Sequence, residues 1–245
     1  MSHREQPTAI VTGGRGGIGS GIICRLLQER WNVVSVDSGA DLPPRAAGEP
    51  SADGVLEVRA DVSSPAECAA VVARTLQAWG RLDALVNNAG IARQIPHGDL
   101  DAVSDEFWDR IMTVNLKGPW NMIKAARTAL ASAPGGQVVN IASIAGLIAG
   151  GSSVPYAVSK AGLIHLTRLL ANALGPQIRV NAVAPGYVET PLTASWEPLR
   201  QAVVANAPAR RLGHPADVAE AVWGLLSMDY VTGAILTVDG GLSLA

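Results

Sequence analysis

Short apolar runs alternate with longer stretches of helical periodicity along almost the whole chain, and this alternation most restricts its fold. Runs such as 84–86 and 138–141 lack the polar–apolar alternation of a half-exposed strand, which is typical of strands buried on both faces. Strands that alternate with helices favour a parallel sheet with right-handed crossovers. We therefore predict an α/β fold of the Rossmann type, in which helices cover both faces of a doubly wound, seven-stranded parallel sheet.

The predicted elements fill the chain without a break between domains. Strands are predicted at residues 8–12, 32–36, 55–60, 83–87, 136–142, 177–183 and 234–238, and helices near 17–30, 64–79, 104–131, 153–174 and 215–227. No linker rich in Pro, Gly or Ser divides the 245 residues, so a single domain over residues 1–245 is predicted. Residues 38–54 are predicted to form a long surface loop.

Composition and charge argue against several classes of protein. With a net charge of −2, the chain lacks the positive charge that nucleic acid or an anionic membrane surface would attract. Residues 1–7 are polar and hold no apolar signal core. Cys24 and Cys68 fall in amphipathic helical patterns, so both are predicted to be small core residues in a reducing compartment. We therefore expect a cytoplasmic protein with no nucleic-acid or membrane partner.

A glycine-rich loop separates the first predicted strand from the first predicted helix. Residues 13–19 are Gly-Gly-Arg-Gly-Gly-Ile-Gly and directly follow the apolar run 8–12. Glycines allow a tight turn and a close approach to a phosphate, and the following helix presents unpaired N–H groups and the positive end of its dipole. A glycine loop alone could be a flexible turn, but one between a strand and a helix predicts a dinucleotide site.

Asp37 ends the second predicted strand, 24 residues after Gly13. A carboxylate there can accept hydrogen bonds from ribose hydroxyls and would repel a 2′-phosphate. Ser38 and Gly39 follow, so no cation comes next to receive such a phosphate. The position therefore favours NAD over NADP. Arg15, predicted to face solvent or the edge of a phosphate, leaves a minor case for tolerance of NADP.

Tyr156 and Lys160 stand four residues apart, and Ser143 precedes the tyrosine by thirteen residues. If this stretch is helical, the tyrosine and the lysine share one face, so the ammonium can lie close to the phenol. A phenol has a pKa of about 10, and a nearby cation lowers this pKa by favouring the phenolate. The spacing fits acid–base catalysis, but it also fits two surface residues that merely share a helix face.

A series of motifs in order resembles the short-chain dehydrogenase/reductase family in its ordinary-length form. The motifs are Thr12-Gly13-x-x-x-Gly17-x-Gly19, Asp61-Val62, Asn87-Asn88-Ala89-Gly90, Pro185-Gly186-x-Val188-x-Thr190 and Val238-Asp239-Gly240-Gly241, with Asn115, Ser143, Tyr156 and Lys160 between them. The resemblance covers nearly the whole chain and implies a nicotinamide-dependent oxidoreductase. With the loop and strand-end residues above, it predicts cofactor contacts from Gly13, Arg15, Gly16, Gly17, Ile18, Gly19, Asp37, Asp61, Val62, Asn88, Ala89, Gly90, Tyr156, Lys160, Pro185, Gly186, Val188 and Thr190.

The resemblance also implies a role for each of four catalytic residues. Tyr156 would be the general acid in ketone reduction and the general base in alcohol oxidation. Lys160 would lower the pKa of that tyrosine and hydrogen-bond the nicotinamide ribose. Ser143 would donate a hydrogen bond to the substrate oxygen, where negative charge builds during hydride transfer. Asn115 is predicted to lie in mid-helix among apolar neighbours, where the family uses it to hold a water in a proton relay.

The substrate site is predicted to be mainly apolar. Its walls should come from residues after the Asn-Asn-Ala-Gly motif, from the loop 144–153 and from a substrate-loop segment near 190–212. The predicted contacts are Gln94, Ser143, Ile144, Leu147, Tyr156, Tyr187, Leu192 and Trp196. This lining favours a small apolar or aromatic alcohol or ketone. No metal site is predicted, because the histidines form no cluster with cysteines or carboxylates.

Two other functions stay open. Many members of the family are 3-oxoacyl-acyl-carrier-protein reductases, which commonly carry basic residues just before the fifth strand to bind an acidic carrier. Residues 129–136 hold no basic residue, so this function comes second. A cofactor-sensing protein without catalysis comes third, because a complete set of Ser143, Tyr156 and Lys160 is hard to explain without chemistry.

Excess apolar residues on two predicted helices, 104–131 and 153–174, favour a homotetramer. Trp108 and Trp120 on the first helix cannot both be explained by one face buried on the sheet, and surplus apolar surface usually marks an interface. The resemblance implies that these helices pair with their symmetry mates, and that the last strand, 235–238, pairs across a second two-fold axis.

Overall fold

The computed structural model describes residues 6–39, 51, 53–194 and 196–244, and these residues form one sheet of seven strands. The strands are β1 Thr8–Thr12, β2 Asn32–Asp37, β3 Val55–Arg59, β4 Ala84–Asn87, β5 Gly136–Ile141, β6 Ile178–Pro185 and β7 Ile235–Val238. They lie in the order β3-β2-β1-β4-β5-β6-β7, and every neighbouring pair is parallel. The chain therefore moves outward from β1 in one direction and then returns to β4 on the other side. This arrangement confirms the predicted doubly wound fold.

Helices connect these strands within the described part of the chain. They are α1 Gly17–Gln28, α2 Pro65–Trp79, α3 Asp105–Met112, α4 Gly118–Ser132, α5 Val154–Leu174, α6 Glu197–Asn206 and α7 Pro215–Ser227. A π-helical turn, Thr113–Lys117, joins α3 to α4. The single long helix predicted at 104–131 is thus interrupted, because Pro119 has no N–H to continue the α-helical hydrogen bonding across the junction. None of these helices is long and apolar enough to cross a membrane.

Two further sequence predictions need correction. Helix α6 lies inside the segment near 190–212 that was predicted as a substrate loop, and its ten residues are too few to give a clear periodicity. Cys68 is buried, as predicted, and burial raises the pKa of its thiol to about 11. Cys24, in contrast, is exposed on the outer side of α1. The predicted surface loop at 38–54 falls mostly outside the described residues.

The strands are apolar without alternation because each face of the sheet has its own core. Ile10 packs into a core with side chains from α2 and α4, whereas its neighbours Ala9 and Val11 pack on the opposite face with α1 and α7. Period-2 geometry sends successive side chains to opposite faces, so a strand covered on both sides is mainly apolar on both faces, and its few buried polar side chains, such as Asn140, are hydrogen-bonded. This explains runs such as 84–86 and 138–141.

A chain of buried polar side chains ties the sheet to α5, the helix that carries Tyr156 and Lys160. The amide of Asn87 donates to Oδ1 of Asn140 at 2.9 Å, and the amide of Asn140 donates to Oγ1 of Thr167, also at 2.9 Å. The Thr167 hydroxyl donates in turn to the Leu163 carbonyl oxygen at 2.8 Å. Because polar groups at this depth are costly to leave unpaired, this series of hydrogen bonds fixes α5 against β4 and β5.

We expect Thr167→Val to lower the free energy of unfolding by about 1–3 kcal/mol, since it leaves the Asn140 amide without an acceptor at nearly constant volume. Thr128→Val is the matched control, because Thr128 is an exposed residue of α4. Urea denaturation of both variants gives the comparison. Equal stability of the two variants would contradict the proposed contribution of the buried polar chain.

Candidate active site

A cavity of about 590 Å³ opens at the carboxyl edge of the sheet. Residues that follow β1, β2, β4, β5 and β6 all contribute to its lining, including Gly13, Asp37, Asn88, Ser143 and Gly186. Ligands of open parallel sheets bind at this edge, where the strand order reverses. The fold therefore brings together residues that are far apart in the sequence, as the positions of the motifs predicted.

The glycine loop closes one side of the cavity against the start of α1. Gly13 has a φ of +62°, which disfavours any other residue. A Cβ at Gly19 would lie 2.0 Å from the Gly13 carbonyl oxygen, so the loop can fold this tightly only without a side chain there. Gly16, Gly17 and Ile18 line the cavity, whereas Gly19 supports the loop from outside the lining.

Hydrogen bonds between the ends of β1 and β4 hold the two sides of the switch point together. Oγ1 of Thr12 accepts from the backbone N–H groups of Asn88 and Ala89, each at 3.0 Å. The Asn88 amide donates to the carbonyl oxygens of Thr12 at 3.0 Å and Gly13 at 2.9 Å. Asn88 thus fixes the glycine loop in addition to lining the cavity. Ala89 and Gly90 continue the lining beyond it.

Two carboxylates lie at the β2 and β3 end of the cavity. Asp37 and Asp61 both line it, together with Val62 and Arg110. Burial alone would raise the pKa of Asp61, but hydrogen bonds from Ser63 and the charge of Arg110 bring that pKa below its ordinary value. Nη2 of Arg110 lies 3.7 Å from Oδ2 of Asp61. Arg110 was not predicted from the sequence, because it lies on α3, outside the motifs that identified the other site residues.

Arg15 is held by an acidic residue of the sheet. Its guanidinium forms an ion pair with the Glu57 carboxylate on β3, and Arg15 is absent from the cavity lining. The structure therefore places the Arg15 guanidinium against Glu57 and mostly out of solvent, and the contact with a phosphate edge stays a prediction. An acidic partner two strands away in the sheet was not detectable from the local sequence.

Lys160 is buried near the start of α5, with 5% of its surface exposed. Its Nζ donates to the Ile141 carbonyl oxygen at 2.8 Å and lies 5.7 Å from the centre of the Tyr156 ring. The four-residue spacing therefore places lysine and tyrosine on one face, as predicted. Burial lowers the pKa of the ammonium to about 8.

The pKa of Tyr156 shifts in the direction opposite to the prediction. Burial raises it, and a hydrogen bond with the Ser143 side chain opposes this effect without reversing it. The expected lowering by Lys160 is not found, because the ammonium is hydrogen-bonded to the Ile141 carbonyl rather than to the phenol. The phenol is therefore in its protonated form at neutral pH. Ser143 is itself oriented by the backbone N–H of Ala145, which donates to its Oγ at 3.2 Å.

Asn115 lies in the π-helical turn and is fully buried. Its Oδ1 accepts from the Ile91 N–H at 2.9 Å, and its amide donates to the Ile91 carbonyl at 3.0 Å and to Oγ of Ser159 at 3.3 Å. Asn115 thus joins the segment after β4 to α5 without lining the cavity. Gly90 separates it from Lys160, since a Cβ there would lie 3.4 Å from Oδ1 of Asn115 and 3.6 Å from Nζ of Lys160.

The other end of the cavity is largely apolar. The predicted contacts Ile144, Tyr187, Leu192 and Trp196 line the cavity, as do Pro185, Gly186, Val188 and Thr190. Thr190 lies against the glycine loop, since a Cβ at Gly17 would be 2.7 Å from its Cγ2. The phenol of Tyr187 donates to the Thr193 carbonyl at 2.8 Å, and its ring packs edge-on against Trp196.

Two predicted substrate contacts, Gln94 and Leu147, are exposed and lie outside the cavity lining. Ile95 is buried in place of its neighbour Gln94, and its N–H donates to the Ser152 carbonyl at 2.7 Å. Leu147 follows a 3₁₀ turn, Ile144–Gly146, which directs the next residue, Ile148, into the lining. Val203 of α6 and Leu242 also line this end and were not predicted. The described residues hold no cluster of His, Cys, Asp or Glu that could bind a metal.

Known proteins resemble this chain over nearly its whole length. The family described as Enoyl-(Acyl carrier protein) reductase matches residues 13–243. A protein of Streptomyces violaceoruber, named as ketoacyl reductase 2 of the granaticin polyketide synthase, is 48% identical and covers 98% of this chain and 97% of its own. A 3-oxoacyl-acyl-carrier-protein reductase of Thermotoga maritima is 35% identical over 97% and 98% of the two chains.

A solved structure extends the similarity to three dimensions. A short-chain dehydrogenase/reductase from Brucella melitensis, titled a glucose/ribitol dehydrogenase, superposes with a TM-score of 0.87 at 31% identity over 96% of each chain. The matched family model, the sequence relatives and the solved structure all support the same family. The chain therefore belongs to the short-chain dehydrogenase/reductase family of oxidoreductases.

Proposed function

We propose that the protein is an NAD(H)-dependent oxidoreductase that interconverts a secondary alcohol and a ketone on a small, mainly apolar substrate. The observation that carries this proposal is a single cavity lined by Ser143, Tyr156 and Lys160 beside the glycine loop. A protonated phenol, a hydroxyl donor and a buried ammonium together can protonate and stabilise an oxygen that gains negative charge.

The residues at the glycine-loop end fit a dinucleotide. The loop offers a cradle made mainly of glycine backbone, and α1 begins there with N–H groups that favour a phosphate. Asp37 is available to ribose hydroxyls, and a second carboxylate, Asp61, lies nearby. The negative charge of Asp37 disfavours an added 2′-phosphate, which supports NAD over NADP. When bound, the nicotinamide would supply or accept the hydride.

Tyr156 supplies the proton in the proposed reaction. In ketone reduction its O–H donates to the substrate oxygen and releases the proton as the carbonyl carbon accepts hydride, and in alcohol oxidation the phenolate takes the proton back. Since burial raises the pKa of Tyr156, the phenolate needs a nearby cation. Lys160, whose pKa is about 8, carries that charge at neutral pH. Ser143, which lines the same cavity, would donate its O–H to the substrate oxygen.

A 3-oxoacyl-acyl-carrier-protein reductase is the second candidate. The names of two relatives favour it, one of them 48% identical. Against it, residues 129–136 contain no cation for an acidic carrier. Turnover of 3-oxoacyl thioesters compared with small apolar ketones, read as absorbance at 340 nm, distinguishes the two functions. A sensor without catalysis, the third candidate, would turn over neither substrate.

Tyr156→Phe should lower turnover by about 10²–10⁴-fold, because it removes the proton donor while keeping the ring. Binding of NAD(H) should stay largely unchanged, as measured by fluorescence titration. Tyr230→Phe is the matched control, because it removes a phenol from a fully exposed tyrosine that does not line the cavity. Near-normal turnover of the Tyr156 variant would remove this residue from the mechanism.

NAD should bind more tightly than NADP, and Asp37→Ala should narrow the difference, because the substitution removes the charge nearest the predicted ribose. Calorimetric Kd values for both nucleotides test the proposal. Tighter binding of NADP by the unaltered protein would refute the proposed preference.

A homotetramer with two-fold symmetry is proposed for the working form. Trp120 and Leu169, 45% and 54% exposed, flank an apolar groove between α4 and α5 that Leu116 and Leu166 also line. Apolar surface of this kind usually marks an interface. Light scattering at micromolar concentration should give four times the 25.3 kDa of one chain. A single-chain mass would refute the tetramer, and twice that mass would leave one of the two predicted interfaces.

A further inference from the structure

An ion pair links the glycine loop to β3 beside the end of the cavity that Asp37 lines. Nη2 of Arg15 donates to Oε2 of Glu57, and each side chain retains only about a quarter of its exposure, 26% and 23%. Residues adjoining Arg15 in the loop, Gly13 and Gly16, line the cavity, whereas Arg15 and Glu57 do not. The pair therefore lies directly behind the wall of the site.

The fold brings these two residues together across β2. The register of β2 and β3 sets Glu57 opposite Ser35, and Arg59 opposite Asp37. The glycine loop rests on the end of β2, since the Gly14 N–H donates to the Val36 carbonyl at 3.2 Å. A Cβ at Gly14 would lie 2.4 Å from Oγ of Ser35. Because the loop sits this close to β2, the Arg15 side chain can reach over it to β3.

The pair changes the charge that a nucleotide would meet. Arg15 is the only basic residue of the loop 13–19, and its charge is offset by Glu57. The Asp37 carboxylate therefore lines the cavity, whereas the loop cation is paired with Glu57 outside the lining.

We propose that Glu57 determines cofactor choice by holding Arg15 on β3, away from the position of a 2′-phosphate. The inference rests on the proposed function and adds a second determinant to Asp37. Without the Glu57 carboxylate, the guanidinium is free to pair with a 2′-phosphate, and charge-assisted bonds between arginine and phosphate are strong. Selection against NADP then comes from a restrained cation as well as from an exposed anion.

Glu57→Gln tests this directly. It keeps the size of the side chain and removes its charge, so the ratio Kd(NADP)/Kd(NAD) should fall about tenfold, as expected for one added charge-assisted hydrogen bond. Adding Arg15→Met to Glu57→Gln should restore the original ratio. Glu220→Gln, which removes a carboxylate from a remote surface ion pair with Arg25, should leave the ratio unchanged. Calorimetry with both oxidised nucleotides provides the Kd values, and circular dichroism checks folding.

Three results would overturn the inference. If folded Glu57→Gln keeps the ratio Kd(NADP)/Kd(NAD) within twofold of its original value, then Glu57 does not restrain a cation that affects nucleotide choice. A fall that persists in the double variant would mean that the new phosphate contact is not Arg15. If Glu57→Gln does not fold, Arg15→Met alone decides: an unchanged ratio supports a cation held away from the phosphate, and a tenfold loss of NADP affinity refutes it. Binding of neither nucleotide by the unaltered protein would overturn the proposed function and this inference together.

Discussion

The hydrogen bonds between Thr12 and Asn88 are the constraint on which the site depends. They join the ends of β1 and β4, the two strands between which the chain reverses its direction across the sheet. A crevice opens at such a point because the loops on either side lead away from each other. By bonding the two loop starts to each other, the Thr12 hydroxyl and the Asn88 amide fix the width of this crevice. The glycine loop, held through the Gly13 carbonyl, takes its position from the same contacts.

Burial decides the protonation of Tyr156 and Lys160, the proposed catalytic pair. Taking Tyr156 and Lys160 out of water disfavours the charged form of each, so the pKa of the phenol rises while that of the ammonium falls. The Ile141 carbonyl compensates the ammonium in part by accepting its hydrogen bond. At neutral pH the site therefore holds a neutral phenol beside a lysine whose pKa, about 8, is close to that pH. Such a pair is suited to giving a proton to a substrate oxygen and to stabilising the phenolate that remains.

The same cavity joins two chemically different ends. Carboxylates and backbone N–H groups surround the glycine-loop end, while Ile144, Leu192 and Trp196 make the opposite end apolar. Ser143, which follows β5, and Tyr156 of α5 line the same cavity. All these loops meet at one edge because the strands of the sheet are parallel and end on the same side. Under the proposed function, α6 and the segment before it would contribute to substrate selection.

Local sequence was sufficient for the strands, for most helices and for the motif residues that line the cavity. Period-2 and period-3.6 patterns depend on which faces are buried, and glycine at tight turns depends on backbone geometry, so both are visible in consecutive residues. Local sequence could not show that Arg15, Gln94 and Leu147 lie outside the cavity lining, because their directions depend on contacts with distant residues or on a short 3₁₀ turn. The direction of the Tyr156 pKa shift was also wrong, since a helical spacing gives proximity but neither burial nor the partner of the lysine.

The sequence by itself therefore determined the sheet, the strand ends at which a ligand can bind and the residue types gathered there. Only the tertiary structure decided that Glu57 holds Arg15, that Arg110 reaches Asp61 and that Asn115 supports the segment at Ile91 from outside the cavity. The physical reason is the distance along the chain over which each effect acts. Backbone periodicity is set by neighbours in the chain, whereas charge pairing and desolvation depend on which side chains meet across strands, and the register between strands is settled only when the sheet and its two cores form together.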